Sequence, residues 1–429
     1  MIHSVTRAGL CLLIGMSGSV GALPRLAAQD RAAVISTAKD PVEAAHLEFS
    51  LSPEELDALR DQTFDLLLKS GKKEAGGTVK EFLRSKLLRD RFRSIEYIAA
   101  GKKAARKIPT DLVFQLEQGE TVYQVAYLPT QKFHVLIDLK KRNAAVAEKL
   151  AASGQRFWEP LTPEDQVKYV AEGKELLAKT VAHFPTLPLQ LHETQYFLFL
   201  SDMPAAQVKP YIQQLDKMNE ALGQSFGFAP GHNVWRGKAV VAVFVEQAAF
   251  AEFESAIMNT TAPSGVQGLC HQVSDGRVTV ACYRGNSPEF LGAVLVHETA
   301  HGYMHRYKST TFVPIWLNEG IADWIAGVAV PSSPEITRRQ QEAAGLLKQS
   351  GTFGGQFFEA DRLERWQYGA GSAMVQQMIQ ANPQLFQLFF NGIKEGLTWQ
   401  DSLMRAYGMT PEELARGYGR TIGVPNLTP

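Results

Sequence analysis

Val296-His297-Glu298-Thr299-Ala300-His301-Gly302 carries two histidines four residues apart. After seventeen intervening residues Glu319 follows, within Pro314-Ile315-Trp316-Leu317-Asn318-Glu319-Gly320-Ile321-Ala322-Asp323. On a helix the histidine spacing sets the two imidazoles about 40° apart and one turn above each other, so both can reach one metal ion. Glu298 lies about 100° around from His297, close enough to hold a water beside the metal without ligating it. Upstream, Asn286-Ser287-Pro288-Glu289 offers a cap, a first-turn proline and an acidic first turn, which predicts a helix from Pro288 to Arg306. The seventeen residues leave room for that helix to finish, a loop to turn and a second helix to return alongside. His297, His301 and Glu319 then make three protein ligands of a tetrahedral zinc site with one position open for water, and one Zn2+ per chain is expected. Asp323, one helical turn beyond Glu319, is placed to accept a hydrogen bond from the outer ring nitrogen of His297 and fix its tautomer.

Working outward, the chain has 429 residues, enough for two or three domains with a sizeable core. Lys plus Arg and Asp plus Glu are 44 each, so the formal charge is zero and nothing global argues for nucleic acid as a partner. Hydrophobic residues are 45% and charged residues 21%, as in ordinary globular proteins, and the only long apolar run lies within the first thirty residues. That run, Ala8 to Val20 behind His3 and Arg7, is too short and too rich in Gly and Ser for a membrane anchor. Residues 1–28 therefore read as a signal peptide, with small residues that suit cleavage after Ala22 or, preferred because the polar Gln29-Asp30 follows, after Ala28; the mature chain is then expected to be an exported protein, periplasmic or extracellular, without an integral membrane segment. The lost segment takes Cys11 with it and leaves Cys270 and Cys282. A three-residue loop centred on Gly276 would set these two opposite each other on a hairpin, so a disulfide is expected, with two free thiols as the plainer account. Zinc binding by the pair is disfavoured, because no second cysteine pair exists.

Residues 29–185 form a first domain of unassigned role, read as mostly helical with a β-hairpin insert. Ser52-Pro53-Glu54-Glu55 starts a helix whose apolar positions Leu56, Leu59, Phe64, Leu67 and Leu68 carry it towards Gly71, and Lys72 to Thr78 reads as a loop. Val113 to Tyr127 alternates around Gln118-Gly119 as the hairpin. Between Lys80 and Lys107 ten basic residues face three acidic ones, which reads as a solvated face, with an anion or envelope contact as the minority account. Residues 186–429 form an α+β domain, a small sheet followed by a helical lobe. Its first elements are a strand at Gln195–Leu200, a helix at Val208–Phe226, a strand at Ala239–Val245 and a helix at Gln247–Ile257.

His297-Glu298-x-x-His301 followed by Asn318-Glu319-Gly320-Ile321-Ala322-Asp323 resembles the gluzincin metallopeptidases, the thermolysin-like and aminopeptidase-like group. The Pro-x-Trp-Leu-Asn-Glu-Gly-Ile-Ala form looks most like bacterial peptidase-MA-like domains. The resemblance covers roughly residues 190–429. It implies a zincin-like catalytic domain in which His297, His301 and Glu319 hold zinc and Glu298 is the general base. It also implies a peptide or protein substrate, with the strand near Arg277–Tyr283 as a candidate edge for a peptide to pair with. A third histidine six residues past His301 would mark metzincins, but Tyr307 stands there. No Gly-x-Met-Glu-Asn segment precedes the motif, which leans towards endopeptidase action.

Zinc-assisted peptide hydrolysis also needs a donor to the developing oxyanion, and Tyr368 in Trp366-Gln367-Tyr368-Gly369 is the candidate, with a packed aromatic as the plainer account. The functional expectation is thus a secreted zinc metallopeptidase. The alternative is a catalytically silent zincin-fold binding or scaffold protein of the cell envelope.

Overall fold

A computed structural model describes residues 40–229 and 231–429. The expected signal peptide and its cleavage site lie outside the described residues. The chain is mixed α+β, with one sheet in each half.

The first half departs from the mostly helical expectation. Ser52 caps its helix as read, with a capping box to Glu55, but that helix ends at Ala58. After helices α1 (Pro41–Glu48) and α2 (Pro53–Ala58) the chain runs through seven strands. These are β1 (Thr63–Leu68), β2 (Lys73–Arg84), β3 (Phe92–Ile98), β4 (Arg106–Pro109), β5 (Val113–Gln118), β6 (Thr121–Leu128) and β7 (Phe133–Asp138). The order β2-β1-β5-β6-β7-β3-β4, with β2 also paired to β3, closes an antiparallel barrel and attaches β4 to its side. Closure satisfies edges that an open sheet would leave bare. Phe64 and Leu66 alternate inward from β1 to join Phe82, Phe92, Ile95 and Leu116 in the barrel core. Gly77 lets Tyr97 cross β2, since a Cβ there would sit 2.1 Å from the ring. The hairpin expected around Gln118-Gly119 is β5–β6.

Helices α3 (Leu139–Ala152) and α4 (Pro163–His183) follow. Although it precedes residue 186, α4 packs Leu177 against Leu198, Leu200 and Val240 of the second sheet. That sheet holds β8 (Gln190–Glu193), β9 (Phe197–Ser201), β10 (Ala239–Phe244), β11 (Gly268–Gln272) and β12 (Val278–Tyr283), in the order β11-β12-β10-β9-β8. Strands β9, β10 and β12 are parallel, and β9 and β10 are buried along their whole length, as parallel strands covered on both faces must be. Their crossovers use α5 (Ala205–Phe226) and α6 (Gln247–Ala256).

The helical lobe comprises α7 (Pro288–Arg306), α8 (Ile315–Ala329), α9 (Glu335–Ser350), α10 (Arg365–Ala381), α11 (Pro383–Lys394), α12 (Trp399–Tyr407) and α13 (Pro411–Thr421). Among the described residues no helix is long and apolar enough to cross a membrane.

Two sequence expectations are corrected at the β11–β12 hairpin. The loop is Ser274-Asp275-Gly276, closed by Val273 N donating to Arg277 O, with Gly276 at φ 91°. It is centred on Asp275, because the glycine takes the left-handed position that ends a three-residue loop. Moving the centre by one residue moves every cross-strand partner by two. Cys270 therefore faces Val280, Cys282 faces Gly268, and both cysteines are free thiols. The edge strands of this sheet are β11 and β8, whereas β12, the strand read as an edge, lies between β11 and β10.

Candidate metal centre

Helix α7 starts where its signals place it: Ser287 Oγ accepts from Phe290 N, and Pro288 fills the first turn. Leu291, Leu295, Val296, Ala300 and Met304 anchor the helix in the core. That packing turns His297 and His301 towards α8. The connection between the two helices is fixed by the buried Lys394, whose Nζ donates to Met304 O at 3.2 Å and Thr311 O at 2.9 Å. Tyr307 is buried as well and donates to Phe226 O at 2.7 Å, so it takes no part in the site.

Helix α8 brings Glu319 to the pair. Its position is set by backbone contact with α10: a Cβ on Gly320 would lie 2.7 Å from Gly371 O, and one on Gly371 would lie 2.8 Å from Trp316 O. Only glycines permit so close a crossing. The same crossing sets Tyr368, in the first turns of α10, on the wall of a cleft of about 570 Å³ that also contains His297, Glu298, His301 and Glu319. The opposite wall is β11 with Val266 and Gln267. No described residue before Gly265 lines this cleft, so the barrel does not cover it.

The nitrogens and oxygen converge closely. His297 Nε2 and His301 Nε2 are 3.1 Å apart, and Glu319 Oε2 lies 3.2 Å from the first and 3.5 Å from the second. On the far side of each ring, His297 Nδ1 faces Asp323 Oδ1 at 2.8 Å and His301 Nδ1 faces Asn318 Oδ1 at 2.9 Å. Both outer partners are acceptors, so each Nδ1 carries the proton and each Nε2 presents a lone pair inward. With both imidazoles neutral, three acceptor atoms then meet with no donor among them, and the buried Glu319 Oε2 has no partner of hydrogen-bonding geometry. Such a triangle calls for a cation. Its edges fit zinc, since ligand atoms about 2.0–2.1 Å from a tetrahedral ion stand about 3.3–3.4 Å from one another. His297, His301 and Glu319 are also the one group of potential metal ligands found among the described residues.

The electrostatics show the same demand for positive charge, met by a proton when no cation is held. Burial opposes charge on His297, but the Asp323 and Glu319 carboxylates outweigh it and raise its pKa to about 10. Burial works against ionisation of Glu319 too, yet the two histidines hold its pKa far below the usual range. A proton can thus stand in where a metal would. Glu298 is pushed up by burial, against the pull of His297 and His301. Tyr368 is raised to about 12, by burial first and then by Glu319 and Asp323, so it remains a donor at neutral pH.

The structure therefore brings His297, Glu298, His301, Glu319, Asp323 and Tyr368 into one cleft, while Cys270 lines its β11 wall as a free thiol. Sequence reading passed over three contributors. Asn318 holds His301; it lies inside the quoted stretch, and its place beside Glu319 was the available signal. Arg339 of α9 grips Asp323, from Nη1 to Oδ1 at 2.9 Å and Oδ2 at 3.1 Å, and nothing in the sequence links the two. Gly268 leaves space for Glu298, whose Cγ would be 3.0 Å from a Cβ at that position. His305 stays outside the site, packed on Trp158 and bonded to Val273 O. A comparison with family models finds none that matches the chain, and no curated protein matches it.

Proposed function

We propose that this chain is an exported zinc-dependent peptidase of the gluzincin type, hydrolysing peptide bonds in the cleft between β11 and α7, with a zincin-like C-terminal domain. The reading is carried by one observation: three potential ligand atoms, His297 Nε2, His301 Nε2 and Glu319 Oε2, converge at 3.1 to 3.5 Å, with both imidazoles held by acceptors at Nδ1. A zinc ion held there would polarise a carbonyl oxygen and bring the pKa of a water down to about 7.

The remaining work falls to the chain. Asp323 and Asn318 orient the imidazoles, and Arg339 orients Asp323. Glu298 Oε accepts the proton of the attacking water and passes it to the departing amine, a task that its raised pKa suits. The Tyr368 hydroxyl donates to the oxygen that gains charge as the carbonyl becomes tetrahedral. An extended substrate can add to the free edge of β11, where backbone groups supply affinity without demanding a sequence.

The test is turnover of unstructured protein substrates by wild type and Glu298→Gln. Activity in wild type and a loss of at least about 10²-fold in the variant, with zinc retained, is expected. Bound zinc with no turnover in either protein would instead favour a silent zincin-fold binding protein.

A further inference from the structure

The basic run between Lys80 and Lys107 takes no part in the metal cleft. The barrel distributes it over β2, β3, β4 and the loops joining β2 to β3 and β3 to β4. Four of its cations face carboxylates: Lys80 faces Asp61, Arg84 Asp57, Arg91 Asp90 and Arg106 Glu74. Lys86, Arg89 and Lys107 have no ion-pair partner among the described residues. With Arg60, Arg84 and Arg93 they line a shallow depression of about 590 Å³, in which Asp57 and Glu81 are the only carboxylates.

Two leucines project from the same loop. Leu87 is 92% exposed, the most exposed large hydrophobic among the described residues, and Leu88 is 39% exposed. A closed backbone holds them out: Ser85 N donates to Arg91 O at 2.8 Å, Arg91 N to Leu88 O at 3.1 Å, and Leu88 N to Ser85 Oγ at 3.3 Å. An apolar tip flanked along the same loop by the unpaired Lys86 and Arg89 complements a surface that is anionic outside and apolar beneath.

We propose that loop 85–91 docks this protein on an anionic phospholipid surface, with Leu87 and Leu88 entering the acyl boundary and the basic depression taking lipid phosphates. Leu87 is exposed on nearly all sides, so a bilayer can part around it, whereas an acidic protein would have to offer a matching pocket. Each Lys or Arg near an anionic surface strengthens binding about fivefold. Each buried leucine strengthens it by about tenfold or more. The loop lies outside the metal cleft, so the proposal stands independently of the peptidase reading.

Flotation of the full chain with vesicles of phosphatidylcholine alone, or mixed with phosphatidylglycerol, tests it. Because Ala8–Val20 is itself apolar, the informative comparison is between chains that share the same N-terminus. Wild type should float with the anionic vesicles and lose binding as salt rises. Leu87→Asp/Leu88→Asp and Lys86→Glu/Arg89→Glu should each lose about tenfold or more, with melting temperatures like wild type. Equal flotation of wild type and both variants would overturn the proposal, as would no binding to anionic vesicles. Poly-glutamate binding that disappears in Lys86→Glu/Arg89→Glu, with vesicles ignored, would overturn it in favour of an acidic protein partner.

Discussion

Asp323 answers two groups at once, accepting from His297 Nδ1 while Arg339 grips both of its oxygens. Burial raises the cost of its charge, but His297 and Arg339 outweigh that and keep its pKa below the ordinary value. Asp323→Ala frees the imidazole to rotate, and zinc affinity should fall about 10- to 100-fold in a chelator competition. Unchanged affinity would remove Asp323 from the account. Arg339→Met leaves a buried carboxylate without its cation, and a loss of about 3–5 kcal/mol in urea unfolding is expected. Arg339→Lys should recover part of this, since a point charge replaces the two-pronged contact incompletely. Full stability in Arg339→Met would show that the pair adds nothing.

At the scale of elements, the α8–α10 crossing at Gly320 and Gly371 connects the fold to the cleft. Gly371→Ala would force its Cβ against Trp316 O and part the helices that carry Glu319 and Tyr368. We expect a stability loss of about 1–3 kcal/mol together with weaker zinc binding, and wild-type behaviour on both counts would refute the crossing as a determinant. Helix α7 was legible because its cap, first-turn proline and histidine spacing are local signals, as was the β5–β6 hairpin with its Gln118-Gly119 turn. The barrel was not legible from β1. Leu56, Leu59, Phe64, Leu67 and Leu68 allow a helical stripe as readily as the inward alternation of Phe64 and Leu66, and only pairing with β2 and β5 decides between them. At the cysteine hairpin the residues gave the turn but not its centre, and one position of error converted two separated thiols into an expected disulfide. Intact-mass measurement after alkylation without reductant should therefore find Cys270 and Cys282 both modified once the chain is unfolded. A mass two hydrogens lower that resists alkylation would contradict the register. Arg339 illustrates a different limit, because a contact between helices leaves no pattern in either one.

Across the whole molecule, Glu395 ties the two halves together. It receives Arg142 of α3 at 2.5 Å and Lys308, next to α7, at 2.8 Å, while Trp158 Nε1 donates to His305 O at 2.9 Å. Burial works against the charge on Glu395, and the two cations more than offset it. Glu395→Ala would leave both cations uncompensated, with an expected cost of about 3–5 kcal/mol, read as a lower unfolding midpoint. An unchanged midpoint would mean that the halves are held by other contacts. This junction packs the first half beside the end of α7, and none of its described residues lines the cleft. The central claim, that His297, His301 and Glu319 form a zinc site, is tested most directly by elemental zinc per chain in purified wild type beside Glu319→Ala. About one zinc is expected in wild type and little in the variant; equal zinc in both, or none in either, would contradict the assignment.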